Sequence, residues 1–262
     1  MNSLLQALAR CATFRESISN SKDLLSTNLH AIFKSMDQPD ISCVDASLMT
    51  QLTQDLDSDP SEQDVHEWFI CKFAGLPAAH CFKGKQTSTV TCERCNTERP
   101  DPQEFVCLEL ALDGKTVQEM LCNHQKSEKL QSMNRYQCDF CEGETDASKQ
   151  LSIQVDEQSI LVILLKRWSS GKKTKRSSGI KAKKSLQQID PFEKEIEVDG
   201  KKFEAVAVCC HVTKDFSDHY KTFVKTKSGI VCCDDENISF PVTYGWKKGS
   251  YMCFYVPLNT ST

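Results

Sequence analysis

Apolar positions near the start of the chain recur with a helical period. Leu4, Leu5, Leu8 and Cys11 fall at i, i+1, i+4 and i+7 with no Gly or Pro between them, which predicts a helix over residues 2–14. The pattern is already running at Leu4, with almost no chain ahead of it for a cap or an incoming strand. A more polar stretch follows, with helical patches at Leu24–Phe33 and Leu48–Leu56. The run D-P-S-E then supplies Asp59 as N-cap, Pro60 at N1 and Glu62 at N3. Val65, Trp68, Phe69 and Phe73 give the helix after it an apolar face at i, i+3, i+4 and i+8. Asp64 and Glu67 lie off that stripe near the positive end of the helix, where they could receive basic groups. A solvated acidic turn is the plainer reading of the local pattern.

From Phe82 the texture changes to short β-like runs: Gln86–Thr91, Glu104–Leu112 and Leu151–Val155. Ile160–Trp168 reads I-L-V-I-L-L-K-R-W, and its six consecutive apolar residues predict a strand buried on both faces at the centre of a sheet. Residues 169–185 are Gly/Ser-rich and strongly basic, and predict a mobile loop. A nuclear-import signal or a polyanion contact would fit such a run, but charge runs are usually solvated insertions. Strands resume at Phe203–Val212, Tyr220–Lys225, Ile230–Cys233 and Tyr251–Val256. The order, helices first and strands last, predicts an α+β fold.

Composition sharpens the picture in a few places only. At 262 residues the chain can bury a sizeable core, and a net charge of −4 argues against a general nucleic-acid binder. No stretch approaches the ~18 apolar residues of a membrane span, so no membrane partner is expected. The sequence after Met1 has no signal-peptide pattern, which leads to the expectation of a protein of the cytoplasm, the nucleus or both. In such a compartment the 15 cysteines would serve as buried thiols or metal ligands, not as a disulfide frame.

Four of those cysteines are arranged for a metal. T-C-E-R-C (Cys92, Cys95) and Y-Q-C-D-F-C (Cys138, Cys141) are two C-x-x-C knuckles, and each can point two sulfurs the same way from one tight turn. A closed set of four thiolates suits one structural Zn2+ per chain and leaves no open position for catalysis. The 42 residues between Cys95 and Cys138 exceed the gap of a simple ribbon, so the ion would pin the base of a long excursion.

The other candidate chemistry sits at a hairpin. Tyr220–Lys225 and Ile230–Cys233 form its arms, with a turn inside Lys225–Gly229, where Ser228-Gly229 is the turn signal. A turn centred between Thr226 and Lys227, or on Lys227, places His219 opposite Asp234 or Asp235, an arrangement that orients an imidazole as a base. A cysteine enzyme also needs a thiolate, which is best stabilised at a helix N-terminus. Cys11 lies well down the first helix on its buried stripe and is a poor nucleophile.

Taken in order, these motifs resemble the catalytic domain of the ubiquitin-specific proteases, papain-like deubiquitinases with thumb, palm and fingers. M-N-S-L-L-Q-A-L (Met1–Leu8) is similar to the tail of that family's cysteine box, and E-Q-D-V-H-E-W-F (Glu62–Phe69) to its Q-Q-D-A-H-E-F helix. The knuckles match the fingers' zinc site, and L-L-K-R-W the palm strand. H-V-T-K-D-F-S-D-H-Y (His211–Tyr220) resembles the histidine box, C-D-D-E-N-I-S (Cys233–Ser239) the acidic motif after it, and S-Y-M-C-F-Y-V (Ser250–Val256) the closing strand.

The resemblance implies an α+β papain-like fold over residues 1–262: a helical thumb over about 1–80, zinc-bearing fingers over about 82–158 and a β-rich palm over about 159–262. It implies His219 as general base, Asp234 as its orienting acid and Asp235 as a second polar helper. Zn2+ would sit on Cys92, Cys95, Cys138 and Cys141, and Asp64 and Glu67 would face the basic tail of ubiquitin. The implied reaction is hydrolysis after the C-terminal Gly of ubiquitin, or of a ubiquitin-like modifier, on a protein conjugate.

Departures matter as well. The family's nucleophilic Cys lies two residues ahead of the position Met1 occupies, and an oxyanion-hole Asn lies further upstream. The chain as written is therefore expected to be inactive, whether cut short at an internal Met or a ubiquitin-binding remnant. Thr213 and Asp218 stand where the family often has Gly, and Asp218 adds negative charge beside the base. The reading from another class is a catalytically inactive ubiquitin-binding module. A zinc-ribbon nucleic-acid protein using the basic loop is the remotest.

Overall fold

The computed structural model describes residues 2–38, 40, 44–45, 64–169, 183–214 and 217–258. The helical patch at Leu48–Leu56, the cap at Asp59–Glu62 and most of the basic run 169–185 lie outside the described residues.

Helices dominate up to residue 82: α1 (Asn2–Leu8), α2 (Ala12–Ser19), α3 (Leu24–Met36) and α4 (Val65–Trp68). The single helix expected over residues 2–14 is two. The chain tightens through Arg10 N–H to Ala7 and Cys11 N–H to Leu8, and Cys11 then starts α2 in an extended conformation. The break re-aims the chain so that Phe14 and Ile18 join Leu4, Leu8 and Cys11 in one core, and Arg15 donates to the freed carbonyl of Ala9. Asp23 caps α3 by accepting from the Ser26 N–H at 2.8 Å. After α4 the helix widens into a π-turn over Phe69–Phe73, which still buries both phenylalanines.

The strands follow in chain order. The first group is β1 (Gly84–Cys92), β2 (Glu98–Phe105), β3 (Leu108–Ala111), β4 (Glu128–Leu130), β5 (Tyr136–Cys138), β6 (Gly143–Thr145), β7 (Ala147–Val155) and β8 (Leu161–Lys166). The second is β9 (Trp168–Ser169), β10 (Lys183–Lys184), β11 (Ile196–Val198), β12 (Lys201–Lys214), β13 (Ser217–Thr226), β14 (Gly229–Asp234), β15 (Asn237–Val242) and β16 (Ser250–Pro257). A helix, α5 (Val117–His124), lies between β3 and β4.

One four-stranded sheet, β2-β1-β7-β4, forms an arm with the β5–β6 hairpin near its tip. The eight-stranded sheet runs β15-β14-β13-β12-β16-β8-β3, with β11 paired to β12. The run expected as one strand over Glu104–Leu112 bends at Val106–Cys107: β2 belongs to the arm, while β3 crosses into the large sheet and pairs parallel with β8.

β8 is buried on both faces as expected, but it lies one strand from the sheet's edge, between β16 and β3. Its side chains alternate between two cores. Val162 and Leu164 point into a core shared with α1–α4, whereas Leu161, Ile163 and Leu165 face α5 and Ile189. β16 repeats this, with Met252 and Phe254 on the first side and Cys253 and Tyr255 on the second.

Candidate functional site

β13 and β14 form the expected hairpin, and its turn is Lys227-Ser228, closed by the pair Thr226↔Gly229, with Gly229 at φ +135°. The turn lies inside Lys225–Gly229 as expected, with its centre between Lys227 and Ser228 and so slightly beyond the centre expected at or just before Lys227. Continuing the register one pair beyond Thr222↔Cys233 sets Lys221 across from Asp234, not His219. His219 reaches Asp234 diagonally, and its Nε2–H donates to Asp234 Oδ1 at 2.5 Å. Lys221 takes the other carboxylate oxygen, with Nζ 2.5 Å from Oδ2. Burial alone would raise the Asp234 carboxyl, but the hydrogen bonds from Lys221 and then His219 outweigh it and hold it below the ordinary carboxylate range. With Nε2 committed to Asp234, Nδ1 is the nitrogen left to take a proton.

The start of α1 is fastened to the same hairpin. Ser3 Oγ donates to the carbonyl of Tyr220 at 2.7 Å, and Thr222 Oγ1 donates to the Ser3 carbonyl at 2.5 Å. Asn2 Nδ2 donates to Asp235 Oδ1 at 2.9 Å, and Gln6 Nε2 donates to the Asp235 carbonyl at 3.0 Å. Asp235 adopts φ +54° in the two-residue turn into β15, a conformation Asp tolerates better than most residues. It stands close to the pair, since the ligand atoms of His219, Asp234 and Asp235 all lie within 4.8 Å of one another. That trio is a poor cation site, because both Asp234 oxygens already accept from His219 and Lys221. The arrangement suits proton transfer.

Thiols around this corner are not activated. Cys11 is buried and its thiol is raised, chiefly by desolvation. Burial likewise pushes Cys209, which contacts the Ser3 carbonyl, up to about 12 and Cys233 up to about 11.

Asp64 and Glu67 occupy different surroundings. Asp64 Oδ1 caps α4 by accepting from the His66 N–H at 2.7 Å. Its Oδ2 accepts from Tyr220 Oη at 3.0 Å and Tyr251 Oη at 2.8 Å, tying the helix to β13 and β16. Trp168 packs edge-on against both His211 and Tyr251, with ring centroids 4.9 Å apart in each case, extending this aromatic layer. Glu67 is exposed and makes no hydrogen bond or ion pair with another described residue.

At the tip of the arm the four knuckle cysteines come together as expected, their sulfurs within 4.8 Å of one another. Cys92 Sγ lies 3.9 Å from Cys141 Sγ, and Cys95 Sγ lies 3.7 Å from Cys138 Sγ. A zinc tetrahedron with bonds of about 2.3 Å has edges of about 3.8 Å. Asn96 (φ +57°) and Glu142 (φ +51°) take the left-handed conformation just after the second Cys of each knuckle, so one backbone turn is built twice. The Thr145 hydroxyl, then the Cys95 N–H, pull the Cys92 thiol down to about 6, and Thr97 does the same for Cys95 in direction. Desolvation and the neighbouring sulfurs push Cys141 up to about 12. Four crowded sulfurs, with the thiols of Cys92 and Cys95 both shifted downward, are a donor set that a dication would relieve.

Several of these contacts have no motif of their own. Lys221 could have been found by counting from a correctly placed turn, and Thr97 and Thr145 by their closeness to the knuckles. The Asn2, Ser3 and Gln6 contacts with β13 and Asp235 span more than 200 residues and have no local signal.

A family model described as "Ubiquitin carboxyl-terminal hydrolase" matches residues 1–255. Ubiquitin carboxyl-terminal hydrolase 15 of Arabidopsis thaliana is 32% identical over 184 residues, 68% of this chain and 20% of that protein. Ubiquitin carboxyl-terminal hydrolase 17 of the same plant is 28% identical over 221 residues, covering 74% and 30%. Ubiquitin carboxyl-terminal hydrolase 48 of Danio rerio is 28% identical over 153 residues, covering 55% and 14%. The chain thus spans less than a third of the length of these relatives. Among solved structures, the SAGA Ubp8/Sgf11/Sus1/Sgf73 DUB module bound to ubiquitin aldehyde matches 99% of this chain and 67% of its own, with TM-score 0.73 at 21% identity. At that identity the likeness is one of fold.

Proposed function

The chain belongs to the ubiquitin carboxyl-terminal hydrolase family, and from that membership we propose that it is the catalytic domain of a cysteine-type deubiquitinase. Its fold is the α+β, papain-like fold of that family, with helical thumb, fingers and palm. The reaction would be hydrolysis of the bond after the C-terminal Gly of ubiquitin on a protein conjugate. That the structural neighbour is bound to ubiquitin aldehyde supports ubiquitin as the partner.

One observation carries the reading: the His219–Asp234 pair sits at a hairpin end to which the N-terminus of α1 is fastened by Asn2, Ser3 and Gln6. His219 Nδ1 would take the proton of a thiol, and Asp234 would hold the ring and offset the imidazolium charge. The thiolate would attack the carbonyl carbon, and His219 would return the proton to the leaving amine. Water, deprotonated by the same nitrogen, would then release the acyl group. Asp235 would serve by holding α1 in place. Asp64 and Glu67 would face the basic tail, Glu67 the freer of the two because both Asp64 oxygens already accept hydrogen bonds within the fold.

The family resemblance implies a thiol just ahead of Asn2, and the nearby Cys11, Cys209 and Cys233, raised by burial, would be poor substitutes for it. Residues 1–262 by themselves would then bind ubiquitin without hydrolysing its conjugates. One Zn2+ per chain on Cys92, Cys95, Cys138 and Cys141 would stiffen the arm and take no part in bond breaking.

The test is a ubiquitin probe with an electrophilic C-terminus. We expect no adduct with residues 1–262, a covalent adduct once the polypeptide is extended by what is encoded ahead of Met1, and loss of that adduct in His219→Ala. A folded, extended protein that binds the probe without forming an adduct would leave the binding-module reading in place of the enzyme.

A further inference from the structure

Lys221 is the residue at this site that the proposed chemistry has not yet used. We propose that Lys221 is a positioning residue for the His219–Asp234 pair, holding Oδ2 so that Oδ1 is presented to the imidazole. The inference rests on the reading of His219 as the base.

The carboxylate of an Asp turns about a broad, two-fold terminal torsion, so a single hydrogen bond to Oδ1 does not fix its plane. A second donor on the other oxygen does. Continuing the β13–β14 register one pair beyond Thr222↔Cys233 sets Lys221 across from Asp234, and its Nζ is 2.5 Å from Oδ2 while His219 Nε2 is 2.5 Å from Oδ1. The backbone on the far side of Asp234 is held as well, since Asp235 is pinned by Asn2 and Gln6. Side-chain exposures of 29% for Lys221 and 27% for Asp234 set this pair apart from the open arm pairs, such as Arg99–Asp139 at 64% and 78%. Exposed pairs of that kind contribute little and hold no fixed geometry. The other lysine on this strand, Lys225, pairs instead with Glu204 on β12, away from the base.

The test has two arms. In residues 1–262 with 15N-labelled histidine, the Nε2–H of His219 should give a downfield, slowly exchanging proton signal. Lys221→Met should lose or broaden that signal, Lys221→Arg should restore it, and Lys225→Met should leave it alone. If Lys221→Met fails to fold, Lys221→Gln, which keeps a neutral donor, takes its place and should show a weakened signal. In the extended protein, Lys221→Met should cut kcat for a fluorogenic ubiquitin C-terminal amide about tenfold with KM unchanged, a loss expected of misplaced catalytic geometry.

An unchanged signal and unchanged kcat in a folded Lys221→Met variant would reduce the contact to a surface ion pair and overturn the inference alone. A wild-type protein with no bonded Nε2–H signal would instead overturn the base assignment, and the inference with it. The first arm needs no nucleophile, so it decides the role of Lys221 even in a wild type without hydrolytic activity.

Discussion

Asn2 and Asp235, 233 positions apart in sequence, share a 2.9 Å hydrogen bond from side-chain amide to carboxylate. With Gln6 on the Asp235 carbonyl, this contact sets where α1 begins relative to the His219 hairpin. Asn2→Ala and Asp235→Ala should each lower stability by about 1 kcal/mol, as for an ordinary hydrogen bond. The double variant should lose less than the sum, because both remove the same bond. Urea unfolding of the four proteins measures this, and strict additivity would mean that the two side chains do not interact.

Asp64 should behave as a structural acid and Glu67 as a contact residue. Asp64→Ala strands the hydroxyl of Tyr251, which is only 6% exposed, and should cost about 1–3 kcal/mol, with Asp64→Asn recovering part of it. Glu67→Ala should leave stability within about 0.5 kcal/mol, as surface changes usually do, while weakening ubiquitin binding. Thermal melts and a titration with labelled ubiquitin separate the two. Equal destabilisation by both variants would contradict the division.

Purified protein should carry one zinc per chain by elemental analysis. Stripping it with a chelator should expose the amides of β5, β6 and the two knuckles to hydrogen exchange while the eight-stranded sheet stays protected. Cys138→Ser should lower the metal content and reproduce that exchange pattern. A stoichiometric metal content that survives the loss of Cys138 would place the ion elsewhere.

Acid should reveal the contacts of Asp234. Its carboxyl lies below the ordinary value of about 3.9. The stability those contacts supply is therefore fully present above that value and is lost as pH falls through the lowered folded-state value. The stability difference between wild type and Asp234→Asn should stay level down to about pH 4 and shrink below it. A difference that widened toward acid would show that the carboxyl is raised instead.

The sequence was most legible where chemistry is written locally. Two C-x-x-C pairs located the sulfur cluster, and a hairpin located His219 beside Asp234. The centre of the turn was legible only to within a residue: Lys225–Gly229 brackets it, and a shift from Lys227 to between Lys227 and Ser228 changes which residue faces Asp234. That shift is what hid Lys221. The division of the first helix at Ala9–Cys11 was also hidden, since the apolar positions keep a helical period across it and only the shared core with Phe14 and Ile18 forces the break. Asp64 looked like a solvated acid because Tyr220 and Tyr251 lie some 150 and more residues further on.

The place of β16 has a bearing on how the molecule is made. Ser250–Pro257 lies between β12 and β8, so the wide sheet cannot close until these late residues have left the ribosome. Until then the apolar flanks of both neighbours are bare, and the His219 hairpin has no finished platform. A ribosome that stalls or terminates before Ser250 would release a sticky, unassembled chain with no partial activity, one for chaperones and proteases to sort.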